Sequence, residues 1–284
     1  MKRLLPFLFV MLWMACEREV NLTPPLYQSK LVVNGLLSNE DEIRVMVSTS
    51  VTALSNQSPQ ILEDAQVEIW EDGNSLGLGQ FDVFDKNFAW PVVPQSGKSY
   101  RIRVVHPNYP PVDETLIMPS SKAISSVVYE DSVGIDTSGG TLAAITVIIN
   151  DPGDEENHYR LRFEYYSLVV PGFIPFSFLS NDAVLRNPAT IKEDDGSYVF
   201  NDQLFNGSTR NIRITFSRDI AFDVPRFRVV SEVLSEDLYR YQSSIARYEE
   251  TKDNPLTEPV FVHSNIRGGL GIWAGKIAER DTIY

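Results

Sequence analysis

Cysteine, histidine and positive charge are all in short supply. Cys16 is the only cysteine in 284 residues, so the chain contains no disulfide, and a zinc site built on several cysteines is excluded. The three histidines, His106, His158 and His263, lie far apart with no second metal ligand at helical or strand spacing, and they read as polar surface or loop residues. Lys and Arg number 25 against 38 Asp and Glu, a formal charge of −13. Phosphate binding needs a cationic face, so this balance argues against nucleic acid as a partner. Arg101 and Arg103, and again Arg160 and Arg162, alternate with apolar residues and read as a solvent face. No apolar run is long enough to cross a membrane: the twelve residues from Leu4 to Ala15 span ~18 Å as a helix, against a hydrocarbon core of about 30 Å. Internal repeats and low-complexity tracts are missing too. What is there, 43% hydrophobic and 11% aromatic residues, belongs to a folded globular chain.

The most biased segment is the first. Lys2 and Arg3 give a positive start, Leu4 to Met14 an apolar run, and Ala15 precedes Cys16, so residues 1–15 read as a signal peptide. A small residue directly before a lone cysteine resembles the lipobox cut by bacterial lipoprotein signal peptidase, although Trp13 stands where the usual pattern has Leu. Cys16 then becomes an acylated first residue, and each buried methylene contributes about 0.8 kcal/mol of membrane affinity. The alternative is an ordinary secretory leader with an incidental cysteine. Glu17-Arg18-Glu19 resembles the acidic signal that sends lipoproteins of the Bacteroidetes type to the cell surface. The expected location is the outer membrane, lipid-anchored and facing the exterior.

Residues 16–29, with Pro24-Pro25, read as the lipidated cysteine and a tether. Short β-rich runs follow, among them Leu31 to Leu37, Ile43 to Val47, Ala65 to Ile69 and Tyr100 to Val104, with turn residues between them. This pattern predicts an antiparallel sandwich over residues 30–119. Pro107 to Pro111 and Pro119 break it, which places a boundary near residue 120. The segment 120–284 is β-rich as well. Leu142 to Ile149 is apolar at nearly every residue and reads as a strand buried on both faces, while Tyr159 to Tyr165 and Ile212 to Phe216 alternate as half-buried strands. One amphipathic helix is predicted at about 235–250, with Ser235 as N-cap, Glu236 and Asp237 in its first turn, and Leu238, Tyr241, Ile245 and Tyr248 on the face that packs on the second sheet. The fold class is therefore all-β, mainly antiparallel, as two β-sandwich-like domains.

Candidate chemistry is sparse. Gly73-Asn74-Ser75-Leu76-Gly77 has nucleophile-elbow spacing, but the glycines that follow oppose a helix, so a β-hairpin is expected. The carboxylates around Asp151, Asp154 and Glu155 are weak calcium candidates. Their spacing is not that of an EF-hand. Phe173, Phe176 and Phe178, near Pro171 and Pro175, are candidates for ligand or receptor contact, with burial in the second core as the alternative. No catalytic residue is singled out, and no cofactor is expected beyond the covalent lipid.

Several segments together resemble one family of Bacteroidetes outer-membrane lipoproteins, domain of unknown function 4249. They are Leu31-Val32-Val33-Asn34-Gly35, Asp64 to Ile69, Gly97 to Tyr100, Asp151-Pro152-Gly153 with Asn157-His158-Tyr159, Asn201 to Gly207, Leu238 to Tyr241, and Ser264 to Trp273. The resemblance implies that the first domain is immunoglobulin-like or carboxypeptidase-regulatory-like. It also implies a place beside a TonB-dependent receptor, as a non-enzymatic accessory in ligand or nutrient capture, the ligand being a glycan or another nutrient. The competing expectations are a glycan-active hydrolase and a structural or adhesive component of the envelope.

Overall fold

The computed structural model of the protein describes residues 27–52, 56–120, 124–220, 226–254 and 256–283. The signal peptide, Cys16 and most of the tether lie outside the described residues. The first half forms β1 (Leu31–Ser38), β2 (Ile43–Thr49), β3 (Gln66–Glu71), β4 (Asn74–Leu78), β5 (Gln80–Asp82), β6 (Asn87–Trp90), β7 (Ser99–His106) and β8 (Tyr109–Ile117). The second half forms β9 (Ser126–Ile135), β10 (Thr141–Asn150), β11 (His158–Ser167), β12 (Gly172–Pro175), β13 (Ile191–Lys192), β14 (Tyr198–Asn201), β15 (Thr209–Ser217), β16 (Phe227–Leu234) and β17 (Leu270–Ile283). The helix α1 (Glu236–Thr251) lies between the last two strands. The architecture is all-β with one α-helix.

The strands make three sheets. The largest has ten strands in the order β13-β14-β11-β16-β17-β1-β2-β6-β5, with β12 also beside β11. Within it β1 and β17 run parallel and the other pairs are antiparallel. A four-stranded sheet, β4-β3-β7-β8, packs over the β1, β2 and β6 part and closes the first core. A three-stranded sheet, β15-β10-β9, packs over β11 and β16 and closes the second. Two sandwich layers are present, and one continuous sheet is common to both.

The strand that joins them is β17. Its residues alternate across the sheet, so Trp273 and Ile277 enter the first core while Ile272 and Ala274 face α1 on the other side. Gly35 of β1 pairs with Trp273, and the missing side chain leaves room for the indole. Trp273 Nε1 donates to Tyr100 O at 2.9 Å, which satisfies its one polar group within the core. Farther along, Ile283 packs against the second core.

Two expectations about packing change. In β10 the alternate residues Ala143, Ile145, Val147 and Ile149 are fully buried, whereas on the other face Ala144 is buried and Leu142, Thr146 and Ile148 are only half-buried. An apolar run predicts two covered faces, but the three-stranded sheet is packed on one side. The helix starts as the capping signal requires, with Ser235 Oγ accepting from Leu238 N–H. Its stripe is covered only at the start: Leu238 is buried against Leu234, Ile272 and Ala274, while Tyr248 is 43% exposed because the last turns run past the sheet.

Candidate functional site

Strand β11 carries most of the chemistry, because it is an interior strand of the shared sheet, third from one edge, and continues into a hairpin with β12. Ser167 pairs with Gly172, so residues 168–171 form the tip. Leu168 is 64% exposed, Val169 92% and Val170 65%, and Pro171 is exposed as well. At the base of the tip Tyr166 and Phe173 are paired across the strands with ring centroids 5.4 Å apart. The Arg228 guanidinium lies 4.0 Å from the Phe173 ring centre, and that of Arg226 lies 5.1 Å from Tyr166 and 5.5 Å from Phe173. Glu164 holds Arg228 in place through contacts of 2.6 and 2.5 Å.

The three phenylalanines named from the sequence therefore separate. Phe176 packs 4.8 Å from Phe216 and 6.0 Å from Phe227, and Phe178 packs 5.0 Å from Phe163. Both rings are partly buried and belong to the second core, which is the alternative weighed for them above. Only Phe173 lies beside the exposed tip, beneath two arginines.

The outer face of β11 is not the solvent face that its alternation suggests. Arg160 contacts Glu193 at 2.6 Å and Glu232 at 2.9 Å, and Lys276 contacts Glu232 at 2.5 Å. Arg162 bonds Glu164 at 2.7 Å and Asp195 at 2.9 Å. Glu164 and Glu232 are buried, so each carboxylate on this face is neutralised by cations on neighbouring strands. Burial alone would lower the pKa of Arg160, but Glu232 and Glu193 outweigh it and hold that pKa above the ordinary value. Period-2 alternation shows which residues share a face. It does not show whether water or another segment covers that face.

At the opposite end of β11 two loops interlock. Asp151 accepts from the Tyr159 hydroxyl at 2.5 Å and from Gly207 N–H at 2.8 Å. Asp202 accepts from Asn157 N–H at 2.7 Å, and Asp202 N–H donates to Asn157 O at 3.0 Å. Burial raises the pKa of Asp202 and of the Tyr159 hydroxyl. Both oxygens of the calcium candidate Asp151 are thus occupied by protein donors, while Asp154 and Glu155 are exposed. Among the described residues no group of three or more His, Cys, Asp or Glu side chains is placed to hold a metal ion.

Two of the three histidines differ from the surface or loop reading. His106 and His158 are buried, the first 3.3 Å from Asp64 and the second stacked on Tyr239 of α1 with ring centres 4.2 Å apart. Burial lowers the pKa of His158. His263 is half-buried and lies 2.7 Å from Asp237, whose other oxygen accepts from Asn265. This Asp237, His263 and Asn265 cluster was not found from sequence, because its members are 26 and 28 residues apart and no local pattern links them.

Ser75, in the nucleophile-elbow spacing, lies in the β3–β4 hairpin and donates to Glu68 at 2.7 Å.

The family model described as Domain of unknown function (DUF4249) matches residues 17–277. The chain belongs to the DUF4249 family. No curated protein matches it. The match spans both sandwich layers, α1 and the first half of β17, so the DUF4249 unit is the whole shared-sheet assembly. The segments that carry the family resemblance are places where distant parts of the chain lock together. Gly35 seats Trp273, and Asn265 Nδ2 donates to Trp273 O at 2.8 Å while Asn265 Oδ1 accepts from Trp273 N–H at 2.9 Å. The stretches 151–159 and 201–207 form the interlocked loops, where the Gly153 and Gly207 backbones approach so closely that a Cβ on Gly153 would lie 2.8 Å from Gly207 Cα. In this DUF4249 chain the residues that carry the resemblance build the fold.

Proposed function

We propose that this DUF4249 chain is a non-enzymatic lipoprotein of the outer-membrane surface, anchored through acyl chains on Cys16, that assists a TonB-dependent receptor in capturing a ligand such as a glycan. The anchoring part rests on the leader, the small residue before the lone cysteine, and Glu17-Arg18-Glu19. The observation that carries the non-enzymatic part is that the buried carboxylates Glu164, Glu232, Asp151 and Asp202 are each bound to fixed cations or donors. A general acid or base needs a carboxyl free to exchange a proton with substrate, and these support the sheet instead.

The test is a pull-down of the tagged full-length chain from gently solubilised outer membranes, with partners identified by mass spectrometry. A TonB-dependent receptor in near-equal amount is the expected result. If the chain is recovered alone, the accessory role is refuted, and direct assays of glycan binding and hydrolysis distinguish the remaining roles. Cys16→Ser is expected to move the chain from the membrane to the soluble fraction. Unchanged membrane retention of that variant would refute lipid anchoring.

A further inference from the structure

We propose that the β11–β12 hairpin tip is a second membrane contact, in which Leu168, Val169, Val170 and Pro171 enter the boundary between headgroups and acyl chains of a bilayer. Three consecutive aliphatic residues at 64, 92 and 65% exposure add little to either core, and such an exposed run marks a contact site. The layering behind the tip favours lipid over a protein pocket. Apolar side chains come first, and the aromatic pair Tyr166 and Phe173 follows in one band with the guanidinium groups of Arg226 and Arg228 stacked on it, Arg226 O accepting from Tyr166 N–H at 2.9 Å. An aliphatic tip with an aromatic and cationic band at its base matches the boundary between acyl chains and headgroups. Insertion must be shallow, because turn backbone groups need water or internal partners, and Val170 N–H already bonds Ser167 Oγ at 3.2 Å.

The chain outside the described residues sets the geometry. β1 begins beside the first residues of β17, whereas the tip lies beyond the far end of β17, where Phe227 pairs with both Ile283 and Tyr165. The fourteen residues of β17 span about 43 Å at roughly 3.3 Å per residue. The eleven residues from Cys16 to Leu26, which precede the first described residue, reach at most about 36–40 Å, too short for the sheet to stand upright on its tip. Cys16 and the tip can therefore engage one bilayer with the long sheet lying along it. This inference rests on the anchored reading, since so small an apolar tip binds weakly alone and gains from the effective concentration a tether provides. The net charge of −13 makes zwitterionic lipid the suitable surface.

The experiment exploits the lone cysteine, whose sulfur is consumed by acylation. The full acylated chain carrying Val169→Cys is labelled there with an environment-sensitive fluorophore and reconstituted in phosphatidylcholine–phosphatidylethanolamine vesicles, with or without acyl-chain-brominated lipid. The expected result is a blue shift and at least two-fold quenching by brominated lipid, with neither at Phe84→Cys, which is 91% exposed at the other edge of the sheet. Leu168→Asp with Val170→Asp is expected to abolish both signals. A parallel chain, with its leader and Cys16 replaced by a polyhistidine tag bound to nickel-chelating lipid, reads the tip whether or not Cys16 is acylated in cells. Mass spectrometry of the native chain tests acylation separately. A label that stays water-like in both forms overturns the proposal. So does a blue shift that appears only when outer-membrane proteins are added, which would assign the tip to a protein partner.

Discussion

Replacing Gly35 by alanine probes the joint between the two ends of the chain. A Cβ at this position would lie 2.5 Å from both Cε3 and Cζ3 of Trp273. Carbon atoms in contact prefer about 3.5–4.0 Å, so an overlap of about 1 Å must be relieved. The indole cannot swing away, because it is fully buried and its Nε1 is bonded to Tyr100 O at 2.9 Å. Nor can β1 move freely, since β2 and β17 pair with it on both sides. Two effects oppose each other. Removing a glycine from a strand gains roughly 0.5–1 kcal/mol, whereas overpacking a core costs about 1–3 kcal/mol. With a pinned obstacle the steric cost wins, and the net loss is about 2 kcal/mol.

For a chain of this size that loss lowers Tm by about 4–8 °C, measurable by calorimetry or circular dichroism. Trp273→Phe supplies the control. It is destabilising alone, through a cavity and a lost hydrogen bond, but it removes the ring atoms that Cβ would meet. Adding Gly35→Ala to Trp273→Phe should then cost less than about 0.5 kcal/mol, a coupling near 2 kcal/mol across the pair. If the two losses simply add, the indole is not what requires glycine at position 35, and the argument fails.

Other expectations follow from the same contacts. His158 is buried, so its folded pKa lies below the ordinary 6.5 and the unfolded chain binds more protons as pH falls under that value. Stability should therefore fall on acidification below about pH 6.5, by at most ~1.4 kcal/mol per pH unit, and His158→Phe should flatten that slope in melts at pH 5.5–7.5; parallel curves would contradict this. Glu232→Ala leaves Arg160 and Lys276 without their shared partner, and should cost about 2 kcal/mol in a denaturant titration, less than a fully buried pair because Lys276 is a quarter exposed. Phe176→Ala should cost about 2–3 kcal/mol because its ring meets Phe216 and Phe227; a variant as stable as the parent would return this residue to the surface.

What was legible in the sequence was local. Short β-rich runs located β1 and β2, alternation located β3, β7, β11 and β15, and Ser235 with Glu236 and Asp237 located the start of α1, because strand and cap signals act over a few residues. What was hidden depends on distant pairing. Nothing near Leu270 announces that β17 will lie parallel to β1, more than 230 residues earlier, or that Trp273 will fill the first core. The same holds for the outer face of β11, whose Arg160 and Arg162 look solvated until Glu193, Asp195 and Glu232 are brought over them. Of the three phenylalanines named from the sequence at the candidate site, the structure leaves only Phe173 beside the exposed tip. Phe176 and Phe178 fill a core, while the exposed group is the aliphatic run just before them. Hydrophobic residues attract attention as contacts according to size, yet a phenylalanine is the residue a core can best use, whereas Leu168 to Val170 sit on a tip with no sheet left to cover them. A short apolar run at a hairpin turn therefore stays exposed where an aromatic cluster beside it does not, since the turn removes the neighbours that would otherwise bury it.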